Sequence, residues 1–275
     1  MRLEARFSLS IKGIGWQLFF VVALFFVSTG STQAATNYFD WDVETGTLDG
    51  TFDIYDDPSA VAITTAKAHS GSKSVFYNPN APGADATNSP VIYLPNLNTV
   101  YLSFWWWIPS SLEGGEGGQH FFRFGSTADA NYLTNGQIDP AIASPGAQGF
   151  GFDLFDGGAG DSGTTYHSVC GDLPTNQWFK FALLATINSP GGTANGTLKC
   201  WVNDVERFSS TSVLFATSGA PLLTTKWNRF ILVTNWENTT LEANSQWWMD
   251  DVEVWDGVPT GDTTPPAAPT GLGVL

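Results

Sequence analysis

The chain has 275 residues, of which 43% are hydrophobic and 14% aromatic. That composition fills a core and excludes a largely disordered chain. Eleven basic residues face 26 acidic ones, a net charge of −15. Long-range repulsion then disfavours nucleic acid, anionic membrane surfaces and other polyanions as partners, and suits divalent cations and neutral ligands.

In chain order, residues 1–35 read as a secretory signal peptide. Arg2, Arg6 and Lys12 precede an apolar run over 14–28, and small residues surround Ala34 and Ala35. The run is about 15 residues, short of the ~20 a membrane-spanning helix needs, so an uncleaved anchor is the weaker alternative. Export places the remainder in an oxidising compartment. There the two cysteines, Cys170 and Cys200, are expected as a disulfide rather than as free buried thiols.

Strand signals then recur at short intervals between Gly, Pro, Asn, Asp and Ser, the pattern of an all-β sandwich or barrel. They fall at 60–65, 74–78, 91–94, 100–108, 120–125, 149–155, 165–170, 178–188, 197–203, 205–208, 227–236 and 247–256. Asn203-Asp204 reads as a tight hairpin turn, because both residues tolerate positive φ. Segments 111–119, glycine-rich and acidic, and 125–148, without period, read as loops. Residues 259–275 are rich in Pro and Thr; they resemble a linker leading into a fibronectin type III module and imply further modules in a longer parent chain.

Four stretches carry a wider resemblance: "YFDWDVETGTLDG" (38–50), "AHSGSKSV" (68–75), "WVND" (201–204) and "WWMDDVEVWDG" (247–257). Together they resemble the concanavalin A-like lectin/glucanase superfamily, in particular its polysaccharide-lyase-like and laminin-G-like members, over residues 36–258. The resemblance implies an all-β jelly-roll β-sandwich of two curved antiparallel sheets. It also implies carbohydrate on the concave sheet, and a structural calcium pinned near the first and last strands by Asp40, Asp42, Glu44, Asp250 and Asp251. Hard oxygen ligands are the right chemistry for that ion.

The stretch "VYLSFWWWI" (100–108) then divides by pleat alternation. Val100, Leu102, Phe104, Trp106 and Ile108 form a wholly apolar face suited to the space between sheets. Tyr101, Ser103, Trp105 and Trp107 form an aromatic, hydroxyl-bearing face suited to the C–H face of a sugar ring. Gln119, Arg123, Asp153, Asn235 and Trp236 are candidate polar and aromatic neighbours on the same groove. The expected function is a secreted carbohydrate-binding, lectin-like module acting on polysaccharide.

The alternative is a polysaccharide lyase, which needs a carboxylate neutraliser and a Tyr or His base. Gln119, His120, Arg123, Tyr166 and His167 are the available parts, although Gln119 and His120 are adjacent and diverge on a strand. A glycoside hydrolase is the weaker enzymatic reading, with Asp251 and Glu253 as its nearest paired acids. A third reading is a structural or adhesive surface module with its rings sealed under loops.

Overall fold

The computed structural model describes residues 34–45, 53–55, 61–78, 89–110, 122–125, 137–142, 150–155, 164–166, 170–219, 223, 226–232 and 246–259. Within them the chain forms β1 (Asn37–Trp41), β2 (Asp53–Tyr55), β3 (Val61–Thr64), β4 (Ser74–Tyr77), β5 (Ser89–Leu97), β6 (Thr99–Trp107) and β7 (Phe122–Gly125). It continues with β8 (Gln137–Ile142), β9 (Phe150–Phe155), β10 (Thr164–Tyr166), β11 (Trp178–Thr186), β12 (Gly196–Val202), β13 (Val205–Val213), β14 (Trp227–Leu232) and β15 (Trp247–Trp255).

The strands pair into two antiparallel sheets. An eight-strand sheet runs β13-β12-β11-β6-β15-β4-β3, with β1 also on β15; a seven-strand sheet runs β10-β9-β8-β7-β14-β5-β2. Their apolar faces meet in one core. Phe104 of the first sheet touches Phe122 of the second with ring centres 5.6 Å apart, and Phe122 also packs on Phe181 and Phe230. This is the all-β sandwich that the strand pattern predicts.

The tryptophan strand obeys its alternation. Val100, Leu102, Phe104, Trp106 and Ile108 are each at most 3% exposed and belong to the core. The hairpin at 203–204 also forms as expected, with φ of 51° and 60°. One expected loop is part strand: β8 lies inside 125–148. Pro140 hid it, because proline cannot donate to a sheet ladder. In the fold, β8 pairs with β7 only at Ile138, and Pro140 lies opposite Phe152 of β9. Cys170 and Cys200 form the expected disulfide, tying the segment between β10 and β11 to β12 across 30 residues.

The last strand carries the irregularity that matters for the site. Along β15, the outer-edge partner is β4 for residues 247–249 and β1 for 252–255. Against β6, Asp250 faces Trp105 but Glu253 faces Ser103, so two residues intervene on β15 where one does on β6. That is a β-bulge, and Asp251 sits in it at φ 49°.

Candidate functional site

The bulge lets two consecutive aspartates serve one loop, which a regular strand forbids. That loop, residues 65–73, joins β3 to β4. Asp250, fully buried, accepts the backbone N–H groups of His69 (2.8 Å) and Ser70 (3.2 Å) on Oδ2. Asp251 takes the Ser70 hydroxyl (2.7 Å) on Oδ1, and its Oδ2 lies 2.8 Å from His69 Nδ1. From the other side, Glu44 accepts the N–H groups of Ser72 (2.7 Å) and Lys73 (2.6 Å) and the Ser72 hydroxyl (2.9 Å). Asp42 in turn accepts the Glu44 N–H at 3.0 Å.

Gly71 is required between them. It sits at φ +54°, and a Cβ there would collide with the Glu44 carboxyl group.

Of the five acids expected at the first and last strands, Glu44, Asp250 and Asp251 grip this loop beside the β15 bulge, Asp42 supports Glu44, and Asp40 lies on β1 opposite Glu253. The backbone N–H of Ser72 is the main cause holding Glu44 below the usual carboxylate range. Burial, then the neighbouring Asp251 charge, push Asp250 up to about 7. Burial, Asp42 and Asp251 raise Asp40. Asp40 and Asp250, whose hard oxygens have raised affinity for protons, are the two acids of the set whose chemistry a divalent cation suits. Among the described residues, no group of three or more acids, histidines or cysteines is placed to share an ion.

The gripped loop lies over the aromatic face. The His69 ring stacks on Trp105 with centres 3.6 Å apart at 10°, and meets Trp178 edge-on at 5.9 Å. Lys67 Nζ stands 3.9 Å from the ring centre of Trp107 and 4.8 Å from that of Trp248. Trp105 and Trp107 are half-buried. Tyr101 is only 7% exposed, with the Trp201 ring 6.0 Å away. Burial, then the charges of Asp204 and Glu253, push its phenol up to about 12, so it supplies neither an open platform nor a base.

Sequence reasoning placed Tyr101, Trp105, Trp107, Arg123 and Asp153 in one groove. The structure divides them between the two sheets. The aromatic three stand on the outward face of the eight-strand sheet, away from the core. Arg123 is in β7, opposite Ile231, and Asp153 is in β9, opposite Asp139 and Thr165. Alternation along one strand fixes a residue's face but carries no information on which strands share its sheet.

Tyr166 is in β10, opposite Phe152, three strands from Arg123. At about 4.8 Å per strand that is roughly 14 Å across the sheet. Asp251 and Glu253, the nearest pair for glycoside hydrolysis, have separate partners. Glu253 accepts from the Ser103 hydroxyl (3.1 Å) and the Trp255 indole (3.2 Å), whereas Asp251 holds the loop. Gln119, His120, His167, Asn235 and Trp236, and the residues after 259, lie outside the described residues.

Two features were missed in the sequence. One is the set of rings flanking Trp107: Trp248 on β15 and Trp178 on β11 lie directly opposite it, and Phe76 on β4 lies opposite Trp248. The other is on the seven-strand sheet, where Arg229 of β14 sits between Tyr93 of β5 and Gly125 of β7. Tyr93 is 59% exposed between two core residues, so this row faces outward; Arg229 is 7% exposed. Only the strand pairing reveals either set.

No family model matches the chain, and no curated protein matches it in sequence. Solved structures do. An endo-β-1,4-glucuronan lyase from the fungus Trichoderma reesei aligns at 12% identity with a TM-score of 0.59, over 80% of this chain and 95% of that one. A PL-14 alginate lyase from Aplysia kurodai aligns at 10% identity with a TM-score of 0.59, over 80% and 99%. The cellulose-induced protein Cip1 aligns at 15% identity with a TM-score of 0.51, over 81% and 100%. The fold is the concanavalin A-like jelly roll.

Proposed function

We propose that this protein is a secreted polysaccharide-binding protein. The observation that carries the reading is the row of half-buried rings Phe76, Trp248, Trp107 and Trp178 on an outward sheet face. Rings left at the surface of an otherwise well-buried sandwich offer rigid, amphipathic area that matches a sugar's C–H face. The fold it shares with proteins named as lyases of glucuronan and alginate supports polysaccharide as the partner. The disulfide supports an extracellular setting.

The test is retention of the purified protein on a panel of insoluble and gel-entrapped polysaccharides. Trp107→Ala combined with Trp248→Ala abolishes retention while the protein keeps a cooperative thermal transition. Unchanged retention in that double variant overturns the aromatic row as the binding surface.

A lyase is the second reading, favoured by Arg229 opposite Tyr93 on the seven-strand sheet. β-Elimination needs a cation on the uronate carboxylate and a base for the proton beside it; the ring then gains a double bond as the glycosidic oxygen leaves and is protonated. Incubation with glucuronan and with alginate tests it, through the ultraviolet absorbance of an unsaturated uronate product. Absorbance lost in both Arg229→Ala and Tyr93→Phe supports it; no absorbance from either polymer overturns it.

The calcium expected at Asp40, Asp42, Glu44, Asp250 and Asp251 would have to draw these acids from their N–H and O–H partners, because no three of them are placed to share an ion among the described residues. A higher Tm with added calcium and a lower one with chelator would assign them that ion. An equal Tm in both assigns these acids to loop clamping alone.

A further inference from the structure

We infer that Lys67, Trp107 and Trp248 form a binding notch for an acidic sugar residue, a uronate within a polysaccharide. The inference rests on the polysaccharide-binding reading and names the sugar class that one part of that surface takes.

The shape comes first. Phe76 and Trp248 lie near-parallel, with ring centres 4.9 Å apart at 28°. Trp107 meets Trp248 at the same 4.9 Å but at 86°. Perpendicular indoles make a corner. A flat crystalline polysaccharide needs coplanar rings, which this corner does not present, whereas one sugar of a single chain fits against its mouth.

The charge comes second. Lys67 Nζ occupies this corner, over both indoles. Lys180 and Lys199, on the same sheet, are neutralised by Asp204 at 3.2 Å and Glu206 at 3.1 Å. Among the described residues, no carboxylate lies within ion-pairing distance of Lys67. In a chain of net charge −15, an ammonium over two half-buried rings with no carboxylate partner among the described residues is the exception to the general field. A carboxylate pairs with it without first breaking an ion pair among those residues. A neutral sugar must displace it from the rings and forfeit the cation–π contact.

The notch is also held in place. Lys67 projects from the loop that Glu44 and Asp250 grip through four backbone N–H groups. Its position is therefore fixed by the acids at the other side of the same loop, which lowers the ordering cost of binding.

The experiment is isothermal titration of the intact mature chain with two probes of equal length, a glucuronate tetrasaccharide and cellotetraose. The wild type binds the acidic probe more tightly. Lys67→Met keeps the aliphatic stem over the rings and weakens the acidic probe by about tenfold or more, with the neutral one changed less than about threefold. Lys67→Arg restores the acidic probe. Trp248→Ala weakens both. Equal loss of the two probes in Lys67→Met, or no loss of either, overturns the inference. Retention of neutral polysaccharide by a wild type that ignores the acidic probe overturns the notch but leaves the broader function. A wild type that retains no glycan at all overturns both.

Discussion

At the scale of single residues, the three consecutive tryptophans of β6 have three different duties. Trp106 points inward, fully buried, and packs on Phe104, Phe179, Phe181 and Trp247. Trp105 is half-buried with the His69 ring stacked on one face, and Trp107 stands beside Trp248 at the notch. The three alanine variants should therefore separate. Trp106→Ala is expected to cost about 3–5 kcal/mol by emptying a large core volume, read from denaturant unfolding. Trp105→Ala loses a stacked pair, lowering Tm modestly and leaving polysaccharide retention within about twofold. Trp107→Ala does the reverse, weakening retention with little effect on Tm. A Trp105→Ala variant that binds poorly at unchanged Tm would show that the His69 stack opens for ligand.

Elements are joined at two points where a small change is expected to cost more than a typical surface substitution. At the end of β11, fully buried Asn188 accepts the N–H groups of Phe215 and Ala216 at 2.9 and 2.8 Å and donates to the Ala216 carbonyl at 2.8 Å. The side chain substitutes for a strand at a place where the chain leaves β13. Asn188→Ala strands two buried donors and is expected to cost about 2–4 kcal/mol, measured as a shift in the urea midpoint at unchanged slope. Gly196 opens β12 between two backbone carbonyls: a Cβ would lie 2.8 Å from the Val213 oxygen and 2.9 Å from the Thr186 oxygen. Gly196→Ala pushes β11 and β13 apart and is expected to cost about 1–3 kcal/mol. The same scale explains the acid-gripped loop. The β15 bulge turns Asp250 and Asp251 toward one loop, and the change of edge partner from β4 to β1 opens the gap they reach through.

For the whole molecule, the disulfide and the net charge act at long range. Closing a loop of 30 residues restricts the unfolded chain, and Cys170→Ala with Cys200→Ala is expected to lower stability by about 3–4 kcal/mol in the chain-entropy account. Scanning calorimetry of the double variant checks it. The charge of −15 repels an acidic glycan at a distance, whereas Lys67 attracts its carboxylate at contact. Raising ionic strength from about 0.01 to 0.15 M shortens screening from roughly 30 to 8 Å. That removes the repulsion before it removes the contact pair. Affinity for a glucuronate oligosaccharide should therefore hold or rise over this range, and a steady fall would mean that the net field does not govern the approach.

The sequence by itself determined the all-β class, the pleat of β6, the 203–204 turn and the cysteine pair. Each depends on local alternation, local φ or a single pair of partners. It also brought the acids of the first and last strands together, through a resemblance rather than through spacing. Only the tertiary structure decided which sheet each strand joins. That separated Trp105 and Trp107 from the strands of Arg123 and Asp153, set Trp248, Trp178 and Phe76 beside Trp107, and paired Arg229 with Tyr93. It also decided what lies on the indoles, because Lys67 and His69 reach them from a loop held by residues more than 170 positions away as well as by Glu44. Pleat alternation is a property of one strand, but a binding surface is made across strands, and the pairing that makes it leaves no period in the chain.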